Sequence, residues 1–160
     1  MEFRIRNACP EDLDALQALE ESCFSLPWTR EQLQGELPDQ RHEFLVAVSR
    51  EGKILGYIGM MTVLDEGYIS NVAVSPDVRR LGIGRALVRE MLRCCIIRKL
   101  SFVTLEVRAH NEGAILLYAQ EGFQRVGMRK NYYERPREDA LLMTRFLLQE
   151  EEKKDEDTCL

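Results

Sequence analysis

Histidine is almost missing: His42 and His110 are the only two among 160 residues. Neither has ligand-like spacing to a cysteine. Five cysteines (Cys9, Cys23, Cys94, Cys95 and Cys159) form an odd set without a Cys-x-x-Cys pair. These two shortages speak against a zinc site and a disulfide framework, and no metal is expected. No Gly-Lys-Ser/Thr follows a glycine loop, so a Walker loop is excluded. A dinucleotide fingerprint also fails, because its third glycine is lacking. No apolar run reaches membrane-spanning length. The first residues, MEFRIRN, are charged and carry no signal-peptide pattern, and the terminal Cys-Leu lacks the spacing of a prenylation box. A reducing cytoplasm is the expected compartment, with no membrane partner.

A strong charge of one sign is lacking too, once the charge is located. The formal net charge is −5, but residues 150–160, EEEKKDEDTCL, hold six acids and two lysines and contribute −4. The rest is close to neutral and offers no field for nucleic acid. The division expected is one domain over residues 1–149 and a disordered acidic tail over 150–160. Hydrophobic content of 45% over this length is enough for one real core.

What is present is a regular alternation of patterns. FRIR reads as a strand. Pro10 suits a first helical turn, and Leu13, Leu16, Leu19 and Cys23 then recur at helical spacing. Thr29 and Gln32 have capping-box spacing and open a second short helix. EFLVAVS and ILGYIGMMTVL flank a tight turn, and YISNVAV is the next strand, ended by Pro76. Ile83, Leu87, Met91 and Cys94 or Cys95 mark a central helix, with both cysteines read as small core residues. FVTLEVR is a strand, and NEGAILLYAQEGF is a helix with Gly122 as its C′ residue. FQRVGMRKNYY and DALLMTRFLL close the domain as strands. The order βααβββαβαββ predicts an α/β protein with a mixed sheet and helices on both faces.

The stretch VRRLGIGRAL stands between a strand and the central helix. Gly82 and Gly84 remove side chains where backbone N–H groups and the helix dipole would meet an anion. Arg79, Arg80 and Arg85 would add charge for phosphates. By itself the stretch also fits an ordinary glycine turn with solvated arginines.

Arg79-x-x-Gly82-x-Gly84 resembles the acetyl-CoA pyrophosphate loop of the GNAT superfamily of N-acetyltransferases. NVAVSPDVRRLGIGRAL, LEVRAHNEGAILLYAQEGF and NYYERPREDALLM lie in the family's order over about residues 65 to 146. The first block is general to the superfamily. The other two are most similar to protein N-terminal acetyltransferases, the RimI-type ribosomal-protein-alanine enzymes above all. The resemblance implies the GNAT fold, a mostly antiparallel mixed sheet splayed in a V.

It also assigns roles. The backbone of Val72, Ala73 and Val74 would line the pantetheine arm and hold the thioester carbonyl, where acyl transfer develops negative charge. Arg80, Leu81, Gly82, Ile83, Gly84 and Arg85 would wrap the pyrophosphate, with Arg79 at its mouth. Asn111 would meet the cofactor arm, although an ordinary helix N-cap fits it equally. Alternation puts Phe102, Thr104 and Glu106 on one face of their strand. Glu106 becomes the general base that takes a proton from the amine, directly or through a water; otherwise it is a strand-end carboxylate facing solvent. Tyr118 becomes the acid beside the departing sulfur, or else a half-buried aromatic. Tyr132 and Tyr133, near Glu138 and Asp139, would clamp substrate backbone, or else are strand aromatics. Asp65 and Glu66, with the loop at residues 25–28, would face the peptide N-terminus. His110 stands where a small polar residue is expected and is read as exposed.

The expected activity is acetyl transfer from acetyl-CoA to the α-amine of a protein, a ribosomal protein first among candidates, by direct attack. Lysine or small-amine acetylation, and a CoA-binding module without turnover, are the competing readings.

Overall fold

The computed structural model describes residues 1–147. The acidic segment 150–160 and Cys159 lie outside the described residues. Among the described residues, seven strands and four helices follow one another as β1 (Phe3–Asn7), α1 (Leu13–Cys23), α2 (Arg30–Gly35), β2 (His42–Ser49), β3 (Ile54–Val63), β4 (Glu66–Val74), α3 (Ile83–Ile97), β5 (Phe102–Arg108), α4 (Glu112–Gln120), β6 (Gln124–Tyr133) and β7 (Glu138–Phe146). This is the expected order of elements. The sheet runs β1-β2-β3-β4-β5-β7-β6. The pairs β1/β2, β2/β3, β5/β7 and β6/β7 are antiparallel. β4 against β5 is parallel, with residues 66–68 facing 102–104. The mixed, mostly antiparallel α/β architecture therefore holds.

The chain divides into two compact units. The first comprises Met1–Met61 and Ile69–Leu92. Its core is built by α1, which turns Leu13, Leu16 and Leu19 inward, by Leu33 of α2, and by Phe44, Val46, Val48, Ile54, Tyr57 and Ala73 of the strands. Residues 44–48 of β2 and 54–60 of β3 are buried without a break, the pattern of strands covered on both faces. Fully burying one such side chain is worth about 1.5–3 kcal/mol. Phe44 stacks on Tyr57 with centroids 4.9 Å apart. The capping box is real: Thr29 Oγ1 accepts from the Gln32 N–H at 3.2 Å, and Gln32 Oε1 accepts from the Thr29 N–H at 2.9 Å. Gly56 has no room for a side chain, since a Cβ there would lie 2.7 Å from the Ala73 carbonyl oxygen.

The second unit comprises Thr62–Tyr68 and the described residues from 93 onward. Strict alternation in β5 buries Val103, Leu105 and Val107 and leaves Phe102, Thr104, Glu106 and Arg108 half-buried on the other face. Asn111 caps α4, its Oδ1 accepting from the Ala114 N–H at 3.2 Å. Gly122 follows with φ +91°, the left-handed turn expected after the helix. Strand β6 ends the sheet order and is exposed along nearly its whole length. In α3 the stripe buries Ile83, Leu87, Met91 and Cys95. Cys94 is only half-buried, so one cysteine of the pair is core and not both. Successive residues point 100° apart on a helix and cannot share its innermost line.

Candidate active site

In the first unit, β4 ends at Val74 and a 3-10 turn over Pro76–Val78 leads to the glycine stretch. Proline at the start fixes this turn. Arg80 at φ +62° and Gly82 at φ +86° both take the left-handed conformation. Such residues curl successive N–H groups into a concavity suited to an anion. A Cβ on Gly82 would meet nothing within 4 Å. Glycine serves the backbone angle here and leaves the approach open. Helix α3 begins at Ile83, and its first backbone bond runs from the Ala86 N–H to the Gly82 oxygen at 3.0 Å. The first N–H groups of the helix, those of Ile83 and Gly84, therefore lack acceptors within the helix. Arg79, Arg80, Leu81 and Arg85 are exposed around this turn, while Ile83 is buried as an anchor. Arg79 donates from Nε to the Val74 oxygen at 3.1 Å, which ties the turn to the strand end. Ala73 is buried, and Val72 and Val74 are half-buried. The glycine turn and the start of α3 thus offer backbone donors of the kind a diphosphate requires, and this stretch fits that end of the coenzyme.

In the second unit, Glu106 does not face solvent: its side chain is only 7% exposed. Its Oε2 accepts a hydrogen bond from the Tyr68 hydroxyl. Its Oε1 lies 3.3 Å from Arg129 Nε. The parallel register explains the first contact, since Tyr68 sits opposite Thr104, two residues before Glu106 on the same face of β5. The Tyr68 phenol is pushed far up by burial and by its bond to the carboxylate, with the neighbouring Tyr132 phenol adding to the shift. It acts as a fixed donor.

Tyr118 is buried on α4, with its ring 5.8 Å from that of Phe123. Burial alone pushes its phenol up to about 12. Among the described residues its hydroxyl has no hydrogen-bond partner. Tyr132 and Tyr133 meet edge to face, with centroids 5.0 Å apart. Arg108 stacks 4.4 Å over the Tyr133 ring. Burial, with the phenols of Tyr132 and Tyr118 and the Glu106 charge, drives the Tyr133 phenol upward. Glu106, Tyr118, Tyr132 and Tyr133 therefore lie in one electrostatic neighbourhood.

Asp65 and Glu66 stand elsewhere. Asp65 takes a hydrogen bond from the Ser101 hydroxyl, and its carbonyl accepts from the Ser101 N–H at 2.7 Å. Glu66 pairs with Phe102, four residues before Glu106, roughly 13 Å away along the strand. The two acids are not gathered with the base. Asn111 spends its Oδ1 on the helix cap. His110 is exposed as expected, with Nδ1 3.0 Å from Glu138 Oε2. Glu138 also accepts from the His110 N–H at 2.7 Å and binds Arg108 at 3.2 Å, and these donors hold its carboxyl below the usual range. Sequence reasoning missed Tyr68 and Arg129. Tyr68 shares the face of Glu106, but only the strand register reveals it.

Residues 13–123 match the Acetyltransferase (GNAT) family. The chain belongs to the GNAT acetyltransferases. This makes it an acyltransferase, of a family whose acetyl donor is acetyl-CoA. A Bacillus subtilis (strain 168) GNAT protein provisionally named [ribosomal protein bS18]-alanine N-acetyltransferase is 35% identical over 139 residues, covering 87% of this chain and 92% of its own. The Escherichia coli (strain K12) [ribosomal protein bS18]-alanine N-acetyltransferase is 34% identical over 134 residues, covering 82% and 89%. A crystal structure of the ribosomal-protein-S18-alanine N-acetyltransferase from Escherichia coli superposes with a TM-score of 0.85 at 32% identity, covering 91% of this GNAT chain and 94% of that one. Among the described residues, no helix is long and apolar enough to cross a membrane, and no group of three or more His, Cys, Asp or Glu could hold a metal ion.

Proposed function

We propose that this acetyltransferase moves the acetyl group of acetyl-CoA to the α-amine of a protein N-terminus, with the N-terminal alanine of a small-subunit ribosomal protein as substrate. The observation that carries the chemistry is the nearly buried Glu106 carboxylate, held by Tyr68 and Arg129 in the same neighbourhood as the unpartnered phenol of Tyr118. The names of the two relatives support the choice of substrate.

Acetyl-CoA supplies an activated acyl carbon and a leaving thiolate. The N–H groups at the start of α3, with Arg80 and the open backbone at Gly82, hold its pyrophosphate. The β4 main chain at Val72, Ala73 and Val74 lines the acyl arm, and a main-chain N–H there that is not already bonded, as that of Val72 is to Asn71 Oδ1, would stabilise charge developing on the carbonyl oxygen. Glu106 takes the proton that the attacking amine must lose, directly or through one water. Tyr68 and Arg129 fix the carboxylate so that its orientation costs nothing at the moment of transfer. Tyr118 faces a different task. A phenol held near 12 keeps its proton against a thiolate whose ordinary pKa is about 8.5. Its contribution is a hydrogen bond to the departing sulfur, with full transfer only where the same dry surroundings raise the thiol. Tyr132 and Tyr133 supply aromatic walls and hydroxyls for the first residues of an extended peptide.

Acetyl transfer measured on paired peptides tests the reading. One peptide has a free α-amine and no lysine, and the other has a blocked α-amine and one lysine. The first is expected to be acetylated, fastest when it begins with alanine. Acetylation of the second alone would replace this proposal with lysine acetylation.

A further inference from the structure

In the second unit, the end of strand β6 is not held by the sheet alone. Its pairing with β7 reaches Arg129/Ala140 and resumes only at Tyr133/Glu138. Residues 130–132 therefore bulge out against Asp139, and Asn131 takes a left-handed φ of +53°. Asp139 pins the bulge, its Oδ1 accepting from the Asn131 N–H at 2.8 Å. A bulge bends its strand, so the ladder before it does not aim the residues after it. Tyr132 and Tyr133 need a further hold.

Arg108 supplies one. It stands at the end of β5, two residues after Glu106 on the same face. Its Nη1 donates to the Pro136 carbonyl at 2.9 Å and to Glu138 Oε1 at 3.2 Å, and its Nη2 donates to the Glu134 carbonyl at 3.3 Å. Two carbonyls and a carboxylate thus fix one guanidinium. Glu138 is itself anchored, since its Oε2 accepts from the His110 N–H at 2.7 Å. The Arg108 Cζ lies over the Tyr133 ring, 4.4 Å from the centroid. On another side that ring meets Tyr132 edge to face. A guanidinium can donate along its plane while its face covers an aromatic ring, and an ammonium cannot do both.

We propose that Arg108 is a positioning residue for the acceptor peptide: fastened to the β6–β7 turn, it holds the Tyr133 ring, and through it Tyr132, where the peptide must pass to reach the base. This rests on the reading that Tyr132 and Tyr133 wall the peptide. Both Nη groups are engaged with the turn, so Arg108 acts through the ring and not on the substrate. The Glu106 carboxylate has its own holders in Tyr68 and Arg129, and the phosphate turn is built from other residues. Loss of Arg108 should therefore weaken peptide capture and spare both the chemical step and the coenzyme.

The experiment is a mutant cycle of wild type, Arg108→Ala, Tyr133→Ala and the double variant. Kinetics on the free-α-amine and lysine peptides are measured beside CoA calorimetry and thermal melting. Arg108→Ala should raise the peptide KM about tenfold, with nearly unchanged kcat and CoA Kd. Tyr133→Ala should raise KM at least as much. In the double variant the losses should not multiply, and KM should stay within about twofold of Tyr133→Ala, because no ring is left to hold. A merely structural role would multiply them. In Tyr133→Phe, which keeps the ring, removing Arg108 should cost as much as in the wild type. If Arg108→Ala does not fold, Arg108→Lys takes its place in the cycle, and its smaller rise in KM should likewise vanish in Tyr133→Ala. Three outcomes overturn the proposal: a normal peptide KM in the Arg108 variant, losses that multiply in the double variant, or a fall in kcat without a rise in KM. A normal KM in Tyr133→Ala removes the peptide wall itself, and the inference with it. Acetylation confined to the lysine peptide overturns the N-terminal reading alone, because the cycle is then read on that peptide.

Discussion

Replacing Glu106 by glutamine tests the catalytic assignment with little change of shape. The amide retains an oxygen for the Tyr68 hydroxyl, so that bond survives. The ion pair with Arg129 is lost, but the Arg129 side chain is 55% exposed, and a pair of that kind contributes about 0–1 kcal/mol. The folded state should therefore lose on the order of 1 kcal/mol or less. The proton acceptor, by contrast, is removed outright. A positioned base contributes roughly 10²–10⁴ in rate, which is about 2.7–5.4 kcal/mol of barrier. The catalytic loss exceeds the structural one severalfold, and the two are separable. Saturating kcat, thermal melting and CoA binding by calorimetry would be measured on the same preparations. The expected result is a fall in kcat of about a hundredfold or more with nearly unchanged melting and CoA affinity. Turnover within a factor of about three of the wild type would refute the assignment. So would a rate loss that tracks a fall in Tm, since Glu106 would then be a structural partner of Tyr68 and Arg129.

Tyr118→Phe, which removes the hydrogen bond to the departing sulfur, should reduce kcat by about a hundredfold with a normal CoA Kd, and full turnover would return Tyr118 to packing. Because the folded phenol is raised to about 12, its contribution to stability is complete below the unfolded value of about 10 and disappears as pH rises toward 12. The wild-type Tm should fall over that window more steeply than that of Tyr118→Phe. Asp12 shows the opposite sign. Its carboxyl is lowered to about 2 by the paired bonds to Arg6 at 2.7 and 2.9 Å, so its contribution is present above about 4 and lost as pH falls through 2. The stability gap between the wild type and Asp12→Asn, on the order of 1–2 kcal/mol near neutrality, should close over that range. At Gly82 the left-handed angle matters and the space does not. Gly82→Asn should therefore weaken CoA binding less than Gly82→Val, as read by calorimetry; equal effects would mean that side-chain bulk decides.

Local chemistry was legible in the sequence. The Thr29 and Gln32 spacing announced a capping box, Gly122 a left-handed helix end, and the alternation of FVTLEVR the face on which Glu106 stands. The glycine turn before Ile83 was legible because a left-handed backbone favours glycine and so shows in the residue type. What stayed hidden depends on pairing between distant segments. Tyr68 meets Glu106 only because β4 and β5 run parallel in one register, and Arg129 reaches the carboxylate from β6. Arg108 of β5 reaches Tyr133 of β6 and Glu138 of β7 across two strand pairings, and no short motif announces it. The bond from the Ser101 hydroxyl to Asp65 was hidden for the same reason, since it joins the turn before β4 to the residue just ahead of β5.

Strand β6 terminates the sheet order with its side chains in water, and it carries Arg125, Arg129 and Lys130. Cations on an outermost strand keep foreign strands from zipping onto its unpaired hydrogen-bonding rim. Arg129 thus has a second duty besides steadying the carboxylate. A hydrophobic replacement there would loosen Glu106 and at the same time invite the molecules to stick together, so kinetics on such a variant must be measured beside its sedimentation.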